Sequence, residues 1–205
     1  MESGSSALLV QLIDQHYALL YRFAFRLSGS AADAEDLTQQ AFLDAQLNLE
    51  QLRQPERAKS WLCRILRNRY LSNRRRQNVI SVQSLEQTEE VGVEPVDDLE
   101  IDPQTLQQAL EELPEEFRTT IILFYFEEFS YKEVAEQMDV PVGTVMSRLS
   151  RAKSFLRQRL MDTQGPEHQA HTKGASAEVS TSRPDSAPPT ADTDVARFMR
   201  IQWTA

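Results

Sequence analysis

The chain has 205 residues, 40% hydrophobic, a net charge of −9 and one cysteine, Cys63, which excludes an internal disulfide and a cysteine-based zinc cluster. No run reaches the roughly 18 apolar residues that cross a bilayer, so no membrane insertion is expected. Six glycines form no phosphate loop, His16, His168 and His171 have no metal spacing, and no His lies near an evident nucleophile. An enzyme, a cofactor, a metal site and a small-molecule substrate are therefore not expected.

A helical period runs through almost the whole chain, and no strand alternation competes with it. The start, MESGSSALLVQLIDQHY, lacks the basic region and cleavage site of a secretory signal, which points to a cytoplasmic protein. Leu8, Leu9, Leu12, Ile13, Leu20, Phe23, Ala24 and Leu27 mark a first amphipathic helix that stops near Ser28-Gly29-Ser30. A second begins around Asp33, with Glu35 and Asp36 suited to its positive end, and presents Leu37, Ala41, Ala45 and Leu49. Gln54-Pro55 interrupts the pattern. A third helix places Ala58, Trp61, Leu62, Ile65 and Leu66 on one side and arginines on the other, to about Gln77. These helices predict one compact unit over residues 5–80.

Residues 81–101 hold seven acids and no apolar period, which predicts a flexible linker. Asp102-Pro103 reads as a helix cap followed by proline at the first helical position. Leu106, Ala109, Leu110 and Leu113 then give a short helix, and Pro114 starts another with Phe117, Ile121, Phe124 and Tyr125. Ser130-Tyr-Lys-Glu133 has the form of a capping box, opening a helix with Val134, Ala135 and Met138 inward. After the turn Asp139-Val-Pro-Val-Gly143, a basic helix runs from about Val142 to Leu160. Helix, tight turn and basic helix predict a helix-turn-helix unit over 102–160. From 161 to 205 the chain is rich in Ser, Thr, Pro and Ala and predicts a disordered tail. Within it, Val195, Phe198, Met199, Ile201 and Trp203 make 195–203 a candidate docking segment.

Charge is segregated along this plan. Residues 53–76 carry nine Lys/Arg against one Glu, residues 77–117 carry twelve Asp/Glu and no base, and residues 146–160 carry five bases and no acid. Two basic helices separated by an acidic stretch are the electrostatic footprint of contact with nucleic acid at two places.

Three stretches occur in a telling order: ADAEDLTQQAFLDA, SWLCRILRNRYLSNRRR and, after the acidic segment, LEELPEEFRTTIILFYFEEFSYKEVAEQMDVPVGTVMSRLSRAKSFLRQRL. Over about residues 8–160 the chain resembles a group 4, extracytoplasmic-function (ECF) sigma factor of bacterial RNA polymerase. The resemblance implies an all-α fold, with a sigma-2 helical bundle and a sigma-4 helix-turn-helix joined by a linker that runs through the polymerase. It implies core RNA polymerase and promoter DNA as partners, with an anti-sigma factor as a further one. It also implies a place on the nucleoid when the chain is in holoenzyme.

The resemblance also assigns residues. Asp36, Gln39 and Gln40, one turn apart, match the face that holds the coiled coil of the largest polymerase subunit; Gln40 stands where Glu is frequent. Arg57 in the loop before the third helix, and Trp61, Arg64, Arg67, Asn68, Arg74, Arg75 and Arg76 on it, match the part that works on the −10 element. Holding an unstacked strand needs phosphate grips, base pockets and stacking. Trp61 is the stacking candidate, although its spacing with Leu62, Ile65 and Leu66 favours the core. The closing helix matches the −35 reader, with Thr144, Met146, Ser147, Arg148 and Arg151 towards the major groove. Met146 replaces a base common in the family. Lys153, Arg157 and Arg159 are assigned to phosphates or to the polymerase flap. A sigma-like regulator that does not initiate, and a plain helix-turn-helix repressor, are the alternatives.

Overall fold

The computed structural model describes residues 2–76 and 102–163, with side chains over 6–76 and 102–161. The expected linker 81–101 and residues 164–205, including segment 195–203, lie outside the described residues. Met161–Thr163, expected to begin the tail, instead continue the closing helix.

Helix α1 (Glu2–Ser28) packs on α2 (Ala31–Leu47), and α3 (Ala58–Arg76) closes against both. The joint is made by Leu12, Leu20, Phe23, Ala24 and Leu27 from α1, with Ala34, Leu37, Ala41 and Ala45 from α2. Alanines on one stripe of α2 bring the two helices close. Leu62, Cys63 and Leu66 of α3 fill the remaining side and are fully buried; each such leucine contributes about 1.5–3 kcal/mol of transfer free energy.

Gly29 ends α1 at φ +74, the left-handed conformation that favours glycine, with its N–H donating to Phe25 O at 2.8 Å. Helix α2 begins at Ala31, slightly before the position expected. Ser30 is its cap, the hydroxyl accepting from Asp33 N at 3.3 Å. Two 3-10 turns, Leu49–Gln51 and Pro55–Arg57, lead into α3.

The second unit contains α4 (Pro103–Glu112), α5 (Glu115–Ile121), α6 (Tyr131–Met138) and α7 (Val142–Thr163). Asp102 caps α4 as its sequence predicts, accepting from Thr105 N at 3.0 Å. A π-turn over Ile122–Phe126 extends α5 with one more residue in the turn, and Phe126 and Glu127 meet Arg26 of α1. Among the described residues there is no strand, and no helix is long and apolar enough to cross a membrane.

The periodicity gives no sign that the two units share a core, yet they do. Buried side chains from α1 to α7 form one contiguous cluster. The contact is made by polar groups as well as apolar ones. Gln107 Nε2 of α4 donates to Phe25 O and Arg26 O, and Arg118 Nη1 of α5 donates to Leu27 O at 2.9 Å. The second unit thus adds donors to carbonyls at the end of α1, where Phe25 O also accepts from Gly29 N and Leu27 O from the Tyr70 hydroxyl at 2.9 Å.

Candidate nucleic-acid interface

The three polar side chains of the α2 face lie together. Asp36 and Gln39 are exposed and Gln40 is half-buried; Gln40 Nε2 donates to Asp36 Oδ2 at 2.7 Å and Gln39 Nε2 to Glu35 Oε1 at 3.4 Å. Leu43 and Leu47 continue that face one and two turns on, 59% and 78% exposed. They escaped the sequence reading because a leucine in a helix is ordinarily taken as core.

On α3 the arginines divide. Arg57, on the turn before the helix, and Arg64, Asn68, Arg75 and Arg76 are exposed. Arg64 and Asn68 are one turn apart, and with Arg75 they form a strip along one side of the helix. Arg69 forks onto Asp44, with Nε to Oδ2 at 2.8 Å, and this hydrogen bond holds its guanidinium above the ordinary arginine range. Arg74 Nη1 donates to the Tyr70 hydroxyl at 2.9 Å. Arg67 is half-buried and donates to Gln137 O at 3.2 Å. Burial lowers its pKa, Glu115 opposes that, and Arg64, Arg148 and Arg75 add to it. Trp61 lies half-buried against the core, as its spacing favoured.

The helix-turn-helix has the predicted chemistry. Ser130 Oγ accepts from Glu133 N, and the Glu133 carboxylate accepts from Ser130 N at 2.9 Å, completing the capping box that starts α6. Asp139 takes the left-handed conformation at φ 55, and Val140 N donates to Ala135 O at 3.1 Å, so the chain turns sharply into α7. Val145, Leu149, Ala152, Leu156 and Leu160 lie inward. Met146, Ser147 and Arg151 are exposed and Thr144 is half-exposed, on the N-terminal turns that meet base edges in this motif.

Arg148 departs from the simplest expectation of a free reader. Its Nη2 meets Glu116 Oε2 at 2.5 Å. Further along α7, Arg159 forks onto Glu112 at 2.6 and 2.8 Å. The acids of the α4–α5 corner, read in the sequence only as negative charge, therefore pair with two arginines of α7. Arg67 and Arg148, assigned to different promoter elements, lie within range of one another's charge.

Two family models match this chain. Sigma-70 region 2 covers residues 12–79 and sigma-70 region 4 covers 104–156. The ECF RNA polymerase sigma factor SigE of Mycolicibacterium smegmatis is 37% identical over 156 residues, 73% of this chain and 60% of SigE. The Bacillus subtilis ECF sigma factor SigW is 30% identical over 176 residues, 79% of this chain and 94% of SigW. Among solved structures, the sigma factor RpoE of Bartonella quintana, in complex with the anti-sigma factor NepR, matches with a TM-score of 0.60 and 31% identity. That match covers 74% of this chain and 95% of RpoE. With both regions present in order, and SigW and RpoE matched over nearly their whole length, the chain belongs to the ECF sigma factors, sigma-70 family proteins that direct RNA polymerase to promoters.

Proposed function

We propose that the chain divides its work as a two-contact promoter reader without catalysis of its own, acting in the bacterial cytoplasm. Residues 5–80 bind core polymerase through Asp36, Gln39 and Gln40, extended by Leu43 and Leu47. The same unit holds the −10 strand with Arg57, Arg64, Arg67, Asn68 and Arg74–Arg76. Residues 102–160 read the −35 element with Thr144, Met146, Ser147, Arg148 and Arg151. The linker 81–101 lets the two units separate. The observation that carries this reading is the outward placement of Met146, Ser147 and Arg151 on the first turns of α7, behind a capped α6 and a left-handed turn at Asp139. That is the geometry that reaches into a major groove.

The likeness to RpoE, solved with NepR, supports an anti-sigma protein as a further partner. The test is genome-wide run-off transcription with purified protein and core polymerase. Discrete new start sites sharing a pair of upstream motifs are expected. Binding to polymerase without new transcripts would favour the non-initiating regulator, and DNA binding without polymerase would favour the repressor.

A further inference from the structure

The apolar end of the chain is the sequence feature that promoter reading leaves without a task. Residues 164–194 carry five acids and two bases, with Val179 as their one large apolar side chain. Residues 195–203 then bring together Val195, Phe198, Met199, Ile201 and Trp203, with Arg197 and Arg200 and no acid. Apolar side chains gathered at the end of a polar stretch gain free energy only by leaving water.

Helix α2 offers a surface of matching chemistry. Its 17 residues include four acids and no Lys or Arg. Asp44 is held by Arg69, and Asp33, Glu35 and Asp36 are exposed. Leu43 and Leu47 stand exposed on the stripe that starts at Asp36 and Gln40. Beside them Tyr17 of α1, 41% exposed, stacks on the Phe42 ring at 6.3 Å. An exposed apolar stripe on an acidic helix suits a segment that is apolar and basic.

The two are also within reach of one another. Arg159, near the end of α7, forks onto Glu112, and Glu111 stands against Gly29, just before α2. The last turns of α7 therefore lie near the start of α2. Between Thr163 and Val195 are 31 residues. A coil of that length spans about 30 Å relaxed and about 100 Å stretched, whereas α2 is about 25 Å long. A tether this short holds its end at an effective concentration on the order of millimolar, so even a weak contact is populated.

We propose that segment 195–203 docks on the outer stripe of α2 in the same chain. Its apolar side chains cover Leu43 and Leu47, and Arg197 and Arg200 face the acids of α2. The stripe is the one assigned above to core polymerase, so the segment competes with polymerase in cis; this consequence rests on that reading of α2.

The experiment uses the full chain with Ala205→Cys carrying a nitroxide. Cys63 is fully buried and burial pushes its thiol well up, so it stays unlabelled in the folded protein. The amide signals of residues 39–48 are expected to lose more intensity to the nitroxide than any others among residues 6–161. Three variants should each restore them with the melting temperature unchanged: Phe198→Ser with Trp203→Ser, Arg197→Ser with Arg200→Ser, and Leu47→Ser. The first should also raise affinity for core polymerase about threefold, as release of a competing segment requires.

Signal loss spread evenly over the chain, or centred away from α2, overturns the proposal. So does signal loss that appears in an isotope-labelled chain without nitroxide when it is mixed with a nitroxide chain, which would place the segment on a second copy. Restored signals with no gain in polymerase affinity overturn the competition. Failure of the parent and its variants to bind polymerase at all would remove the reading of α2 and the competition with it, while the nitroxide still decides docking by itself.

Discussion

Helices α3 and α7 carry a similar wealth of arginine, and each is screened in a different way. On α7 the screen comes from inside its own unit: Glu116 holds Arg148 and Glu112 holds Arg159, both near the surface. On α3 the screen over Lys59, Ser60 and Arg67 comes from the other unit, through Glu127 and Gln137. A screen within a unit travels with it, weakens in salt and can be displaced by a phosphate. A screen across units exists only while the units are docked. The pairs on α7 are therefore weakened gradually by salt, whereas the contacts over Lys59, Ser60 and Arg67 depend on the joint between the units. The comparison predicts that substitutions on the two surfaces have separable effects.

The largest effect is expected where both units depend on one side chain. Arg118 is 6% exposed and donates to Leu27 O across the joint, and to Glu111 O and Leu113 O within its own unit, at 2.5–3.0 Å. Arg118→Ala removes the guanidinium from Glu111 O and Leu113 O, leaves Leu27 O with the Tyr70 hydroxyl alone, and opens a cavity, costing roughly 3 kcal/mol. A clear fall in melting temperature is expected, with partial rescue by Arg118→Lys. An unchanged melting curve would mean that water replaces the guanidinium and that the joint is far softer than its burial implies.

Two substitutions then sharpen the contrast between contacts with DNA and with polymerase. Arg148→Ala should lower −35-dependent run-off about tenfold or more, since an arginine–guanine pair is worth ~1–3 kcal/mol, with polymerase affinity intact. Asp36→Arg should do the opposite. It reverses a charge on the α2 face and should lower affinity for core polymerase about tenfold, with no change in the order of promoter preference. Equal loss of both functions in either variant would mean that the residue acts through the fold.

Most of the fold was legible because its signals are local. Periodicity marked every helix of both units, the Asp102-Pro103 and Ser130–Glu133 caps fixed two starts, and Gly29 fixed a stop. The α7 outer face followed from the inward set Val145, Leu149 and Leu156. What escaped depends on partners distant in the chain. Glu127 reads as one more acid in FEEF, and its pairing with Arg26 spans 101 positions. Gln107 and Arg118 stand out in no local pattern, although both are buried against the end of α1. Leu43 and Leu47 failed in the other direction, since periodicity cannot distinguish a face that meets the core from one that waits for another protein.

The capping box gives a smaller, local effect. Ser130→Ala removes one half of it and should cost about 1 kcal/mol. The hydrogen bonds from Ser130 hold the Glu133 carboxyl below its ordinary range. A lowered carboxyl pKa stabilises the folded form above the ordinary Glu value, and that contribution is lost as pH falls through the lowered one. The gap between parent and Ser130→Ala melting temperatures should therefore be full at pH 7 and narrow in acid. A gap that widened in acid would contradict the assignment of Glu133 as the reciprocal cap.

The finest test bears on the α7 screen alone. Glu116 is 53% exposed, so its pair with Arg148 is worth no more than about 1 kcal/mol and is weakened by salt. Glu116→Gln should raise the affinity of the free chain for double-stranded −35 DNA by only about two- to fivefold at low ionic strength. That gain should vanish as salt rises, and the melting temperature should hardly move. This outcome separates the two screens: Glu116 acts on one arginine through a solvated contact, while Glu127 acts on the relation between units through a buried one. If Glu116→Gln instead lowered the melting temperature as Arg118→Ala does, the α4–α5 corner would belong to the joint between the units.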